Sequence, residues 1–310
     1  MKTTISYGKA QIPIYRTYCR PLPGVPTIPE SSFAGRSNVL FAAEVEVEVF
    51  GDNFLPAYTV GDNSNVVATD TMKNFVLKQA LAYEGATLEG FLHFLGERFL
   101  STYPQMESLR VAGKEQPFVA ARVPQGGDGS FTDSEVLFSR ARGDHGTASL
   151  RLERSEQGAA PTITEHLCGR EGMQLIKVTG SSFAQFARDE HTTLPERTDR
   201  PLFIYLDVHW QYADAAQMVA GDLTGYIPSE QVRDLCQTVF HRFVSMSIQH
   251  LIYEMGMRLL ERFPQMASVS FEAQNRLWDT AYTSEADKRL VVYTDPRPPY
   301  GLIKLELRRD

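Results

Sequence analysis

Cysteine is scarce in this chain: Cys19, Cys168 and Cys236 are spread over 310 residues. An odd, widely spaced set with no CxxC pair does not make a disulfide framework and fits a reducing compartment. The seven histidines never fall into HxxxH or HExxH spacing, so a structural zinc site is not expected. No run of about 18 uninterrupted apolar residues is present, which argues against a helical membrane span. The N-terminal MKTTISYGKAQ lacks the apolar core of a signal peptide. The C-terminal Leu307-Arg308-Arg309-Asp310 is not a peroxisomal address. A cytoplasmic protein is therefore expected. Basic charge is also in deficit, 31 Lys and Arg against 38 Asp and Glu, for a net charge of −7. Phosphate neutralisation needs clustered Lys and Arg, so nucleic acid is a poor partner. No GxGxxG, P-loop or GxSxG pattern occurs, and nothing calls for a nucleotide, flavin or metal.

What is present is an ordinary globular composition, 43 % hydrophobic and 22 % charged, which excludes dominant disorder. The length suggests two domains. Ile12 to Cys19 is rich in β-branched and aromatic residues and reads as a strand, with Pro13 marking an edge or a start. A Pro-rich loop runs from Pro21 to Pro29. Ala43, Val45, Val47 and Val49 then alternate with Glu44, Glu46 and Glu48, the period-two pattern of a strand with one wet face. Thr69 or Asp70 is placed to cap a helix carrying Met72, Phe75, Val76 and Ala80. A second helix from Thr87 carries Leu88, Phe91, Leu92, Leu95 and Phe99 and ends before Pro104. Strands are expected around 108–111 and 134–152, joined by a Gly-rich loop.

The second half follows the same plan. Strands are expected over 162–178 and 201–212. A helix opens at Pro228-Ser229, and another carries Ile248, Leu251, Ile252, Met255 and Leu259. Strands over 268–278 and 302–307 close the chain. The order strand-strand-helix-helix-strand-strand, twice over, predicts an α+β protein. Its helices lie on one face of antiparallel sheet, and the units span 1–156 and 157–310.

Spacing alone gives a thin set of candidate residues. Lys9, placed before the first strand, reads by itself as a solvated lysine. Thr69 and Asp70 read as helix caps, although a helix start also offers free amides and a positive dipole end to an anion. Phe183 and Phe186, in SFAQFARDE, read as core residues of a short helix. Arg200 is expected either to pair with Asp199 or Glu196, or to present its planar fork to two oxygens of a ligand. Gln249 falls in the first turns of a helix, facing solvent by default. Asn275 sits in a strand, where a buried amide must find partners.

These residues fall within segments that resemble the urate oxidase (uricase) family. The resemblance is carried by Tyr7-Gly8-Lys9, by NVVATDTMKN from Asn65 to Asn74, and by Phe183 followed by RDEHTTL from Arg188 to Leu194. Ser247-Ile248-Gln249 and Tyr300-Gly301-Leu302-Ile303 complete it. The motifs occur in order over nearly the whole chain. The resemblance implies a tandem pair of T-fold units assembled into a homotetramer around a tunnel, with active sites at subunit interfaces. It also implies oxidation of urate by O2 and water to 5-hydroxyisourate and hydrogen peroxide, with no metal or organic cofactor. Lys9 and Thr69 would be the catalytic pair from one subunit, and the Asp70 amide would bind the urate edge. From the neighbouring subunit, Phe183 would stack on the purine, and Arg200 and Gln249 would clamp it. Leu194 and Ile248 would line the pocket, and Asn275 would hold O2 or water above the ring. One departure stands out. Many members carry a histidine two residues after this Asn, completing a Thr–Lys–His relay, and here that position is Leu277. Two alternatives therefore remain at this level: another T-fold enzyme acting on a purine or pterin ring, or a catalytically silent relative.

Overall fold

The computed structural model describes residues 3–22, 24–36, 40–127, 129–140, 142–155 and 159–310. The chain opens with β1 (Ser6–Arg16) and β2 (Phe41–Phe50). Three helices follow, α1 (Leu55–Thr59), α2 (Thr69–Ala82) and α3 (Leu88–Thr102). Then come β3 (Ser108–Glu115), β4 (Phe118–Pro124), β5 (Phe131–Arg140) and β6 (His145–Glu153). The second half contains β7 (Thr162–Lys177), β8 (Leu202–Tyr212), α4 (Ala216–Val219), α5 (Ser229–Arg242) and α6 (Ile248–Arg262). It closes with β9 (Met266–Leu277), β10 (Thr280–Thr283), β11 (Val291–Tyr293) and β12 (Arg297–Arg308).

Eight of these strands form one antiparallel sheet, in the order β1-β2-β3-β6-β7-β8-β9-β12. The hydrophobic alternation dictates its two faces. Val45, Val47 and Val49 of β2 are fully buried beneath the helices. On the opposite face Glu44 meets Lys114 at 2.9 Å, and Arg110 joins Glu46 at 3.1 Å and Glu48 at 2.7 Å. β8 repeats the pattern, with Leu202, Ile204, Leu206, Val208 and Trp210 in the core. One continuous core runs under the four long helices. No helix among the described residues is long and apolar enough to cross a membrane.

Several expectations are corrected. Lys9 lies inside β1 rather than before it, and Cys19 lies beyond that strand. The region 106–155 holds four strands, not two. β4 and β5 form a separate ribbon that leaves Val119, Phe131, Val136 and Leu137 exposed, so no buried stripe marks it. SFAQFARDE is not helical. Phe183 pairs with Arg197 as extended backbone, and Gln185 adopts a left-handed conformation at φ 60°. Neither Thr69 nor Asp70 caps α2; the cap position is Ala68, with no side-chain hydrogen bond. The division between units at 156/157 falls outside the described residues.

The seam between the halves is polar. Arg36, paired with Glu115 at 3.0 Å, reaches across to Glu230 at 3.7 Å, and the Tyr226 hydroxyl donates to Glu89 Oε2 at 3.1 Å. Arg170 is held by Asp144 and reaches Ser229 at 3.3 Å. Burial pushes the Glu89 carboxyl up to about 8, so it is neutral at pH 7. A carboxyl raised in the folded state binds its proton more tightly folded than unfolded. Stability therefore falls as pH rises from the ordinary carboxylate value to about 8, by up to about 1.4 kcal/mol per pH unit. Glu89→Gln keeps the shape and removes the titration. In chemical denaturation across pH 5–9 the variant is expected to lose this slope and to exceed the parent at the alkaline end. Parallel profiles would refute the assignment.

Candidate active site

Lys9 is positioned by three local features of β1. Tyr7 packs edge-on against Phe54 at 5.1 Å, and its hydroxyl accepts from the Val67 amide at 3.1 Å. That contact ties the loop before α2 to the strand. Gly8 crosses β2 so closely that a Cβ there would lie 1.9 Å from the Val47 carbonyl oxygen. The register then slips between Lys9 and Ile12, and Gln11 takes a left-handed conformation at φ 56°. Bulges of this kind re-aim a side chain at a sheet edge. Lys9 emerges half-buried from this kink.

The start of α2 faces the same end. Thr69 is its first residue and is half-buried, and no hydrogen bond to its hydroxyl is found among the described residues. The Asp70 carboxylate is occupied by Lys73 and by Asn74, the latter at 3.0 Å. The Lys73 hydrogen bond and charge hold the Asp70 carboxyl below its usual range, and Lys9 adds a smaller contribution. Lys9, Thr69 and Asp70 therefore share one neighbourhood at the β1 edge, with the free first-turn amides of α2 beside them. No hydrogen bond joins Lys9 to Thr69 among the described residues.

The second group is assembled by backbone contacts. The Phe183 amide donates to Arg197 O at 2.8 Å, and the Arg197 amide returns to Phe183 O at 2.9 Å. The Arg200 amide donates to Ser181 O and the Ser182 amide to Ser245 O, each at 2.8 Å. This last link brings the hook of residues 181–200 to the start of α6, where the Ser247 hydroxyl caps the helix by accepting from the His250 amide. Ile248 is buried and Gln249 is exposed in that first turn. Phe183 stacks on Phe186 at 4.9 Å and 13°, and the Arg200 guanidinium carbon lies 5.5 Å from the Phe183 ring centre.

Arg200 does not pair with Asp199 or Glu196. Asp199 takes the Thr179 hydroxyl at 2.6 Å and the Gly180 amide at 2.7 Å, and Glu196 accepts from the Gln185 amide. Arg200 Nε is buried without a partner, and burial holds its pKa below the usual arginine value. Such a fork is available to an external anion.

Arg200 opens onto a cavity of about 540 Å³ that also contains Leu194, Asn275 and Leu277. Asn275 lies on β9, next to the edge strand, paired with Ile204 of β8 and Gly301 of β12. The cavity wall holds no histidine among the described residues, and Leu277 is half-exposed in it. Sequence reading missed Arg276, which lies between Tyr205 and Tyr300 at 4.2 and 4.1 Å from their ring centres. It also missed Ser181 and Ser245, two small polar residues with no periodic signature.

The two groups are far apart within one chain. Lys9 is on edge strand β1 and Asn275 on β9, six strand spacings away, or about 29 Å along the sheet. The described residues contain no cluster of three or more His, Cys, Asp or Glu able to hold a metal ion.

Comparison with known proteins gives a consistent result. The uricase family profile matches residues 44–150 and 166–304. The uricase of Haloferax volcanii is 47 % identical over 98 % of both chains. A "uric acid degradation bifunctional protein" of Bacillus subtilis is 47 % identical over the whole chain, which spans 62 % of that relative's length. A crystal structure of Bacillus sp. TB-90 urate oxidase superposes with a TM-score of 0.93 at 44 % identity, covering 99 % of this chain and 100 % of that one. The chain belongs to the uricase family, oxidoreductases that oxidise urate in purine degradation.

Proposed function

We propose that urate is oxidised in a site shared by two copies of the chain. Lys9, Thr69 and the Asp70 amide come from one copy. Phe183, Leu194, Arg200, Ile248, Gln249 and Asn275 come from the other. The observation that carries this reading is the distance between the two groups, each partly built and placed toward opposite edges of one eight-stranded sheet. Side-by-side pairing of two copies joins the unpaired edge of β1 to that of β12, which removes both edges. Each half of the sheet with its two long helices is then one T-fold unit, divided near 156/157. The sheets of paired copies close around a tunnel, and two such pairs form a homotetramer.

Urate is a monoanion at neutral pH and must lose a further proton before it gives electrons readily to O2. The Phe183 ring takes one face of the purine. The Arg200 fork and the Gln249 amide hold its oxygen- and nitrogen-bearing edge, and first-turn amides of α2 meet the opposite edge. Lys9, with the Thr69 hydroxyl, accepts the departing proton and relays it. Two electrons pass from urate to O2, which leaves as H2O2. Water supplies the hydroxyl of 5-hydroxyisourate, and Asn275 positions O2 or this water above the ring. No residue in this scheme calls for a metal or organic cofactor. With Leu277 in the cavity and no histidine there among the described residues, proton transfer runs through Lys9, Thr69 and solvent. The overall charge of −7 repels an anion at long range, so attraction is local, from Arg200 and the α2 start.

Metal-stripped protein mixed with urate in air is expected to consume urate and O2 and to release peroxide in equal amounts. Absorbance of urate and a coupled peroxide assay follow both. Absence of urate loss would refute the reading and favour a silent relative, whereas turnover of a pterin alone would favour the other ring-binding alternative.

A further inference from the structure

Three buried polar atoms in the segments that carry Arg200 have no hydrogen-bond partner among the described residues. Ser181 is 1 % exposed and Ser245 is fully buried. Neither hydroxyl has a hydrogen-bond partner among the described residues, and the same is true of Arg200 Nε. Backbone contacts place them together. Ser181 and Ser245 face each other across an isolated parallel bridge, which sets paired side chains on one side. The Arg200 amide donates to Ser181 O at 2.8 Å. Nearby charge is committed elsewhere: Asp199 to Thr179 and Gly180, and Lys177 to the Phe243 carbonyl at 2.9 Å.

Buried polar groups are almost always hydrogen-bonded, and a buried water commonly serves about three of them at once. Here one cationic donor and two hydroxyls that can each donate or accept are carried by backbone segments in direct contact. We infer that Ser181 and Ser245 are positioning residues for Arg200, the two hydroxyls and Arg200 Nε sharing one enclosed water. With Nε held from behind, the guanidinium plane is fixed and its two terminal nitrogens remain for an anionic substrate in front. A fork presented in one orientation binds a planar anion without first losing rotamer freedom. The bridge also connects this support to the start of α6, so Arg200 and Gln249 are set by the same contact.

The inference rests on the reading that Arg200 holds urate, and the test separates the two. Ser181→Ala, Ser245→Ala, the double variant, Arg200→Ala and the triple variant are assayed for KM and kcat with urate, alongside Tm. The double serine variant is expected to raise KM about ten-fold, with little change in kcat. In the Arg200→Ala background the same serine changes should add nothing further to KM. Ser245→Thr, which keeps the hydroxyl, should restore KM. If Ser245→Ala does not fold, Ser181→Ala and Ser245→Cys give the same comparison. A rise in Tm with unchanged KM would mean that the hydroxyls are unsatisfied and idle, and would overturn the inference. So would equal KM effects with and without Arg200. If Arg200→Ala itself leaves KM unchanged, the substrate-contact reading fails and the inference fails with it.

Discussion

Replacing Lys9 by Met is expected to lower kcat for urate by two to four orders of magnitude, about the range a positioned acid–base group contributes. Methionine keeps the length and apolar stem of the side chain and removes only the group that takes the proton. The backbone is not expected to move, because the features that shape this part of β1 lie on either side of Lys9. Gly8 sets the approach to β2, the kink at Gln11 follows, and Tyr7 is bonded to Val67. Lys9 is half-buried at an edge strand rather than a core residue, so Tm should stay close to that of the parent. A fall in kcat with KM nearly unchanged identifies a group acting in the transition state rather than in ground-state binding. Turnover at the parental rate in Lys9→Met would remove Lys9 from the chemistry. The Thr69 hydroxyl and solvent would then be the only route left for the proton.

How much of this could be read from the sequence depends on what each residue pattern encodes. The paired helices and the buried strands were legible because their apolar residues recur at 3.6 or 2.0 residues. Val45, Val47 and Val49 point to the core for the same reason that Glu44, Glu46 and Glu48 reach Lys114 and Arg110. The β4–β5 ribbon was not legible, since it stands outside the main sheet and buries no consistent face. Lys9 was misplaced because Tyr7-Gly8 carries no strand-like alternation. What holds it in the sheet is the absence of a side chain at Gly8, which only the distance to Val47 O reveals. The helix expected at Phe183 failed because extended pairing with Arg197 overrides local propensity. As to the site, spacing offered Arg200 two equal fates. The structure removes the first of them, since the oxygens of Asp199 are taken by Thr179 and Gly180 and Glu196 accepts from the Gln185 amide. The joining of Phe183, Arg200 and Gln249 has no sequence signature, because backbone atoms of residues 181–183, 197, 200 and 245 make it. The family resemblance named those residues without supplying the contacts that assemble them.

Mixing two impaired variants, one defective in kcat and the other in KM, is expected to restore turnover at the parental KM. Lys9→Met damages the group at the β1 edge and Arg200→Ala the group beside β8. If each site draws one group from each copy, a pair containing one of each variant has one site with both defects and one with neither. Random association of equal amounts makes about half of the pairs mixed, each with one intact site of two. The expected yield is therefore about a quarter of the parental turnover, with the parental KM for urate. If instead both groups served the same site within one chain, every site would carry a defect and mixing would recover nothing. The geometry favours the shared arrangement strongly. Lys9 and Asn275 are six strands apart, about 29 Å along the sheet, and no rotamer change of lysine spans more than a fraction of that. Co-synthesis of the two chains in equal amounts, assayed without separating the assemblies, gives the population to which the quarter applies, and steady-state kinetics on it reads the result. Activity at the level of the separate variants would break the shared-site reading while leaving the Lys9 result untouched. Recovery to about a quarter, with the KM of the parent, would show that neither copy of the chain holds a complete site.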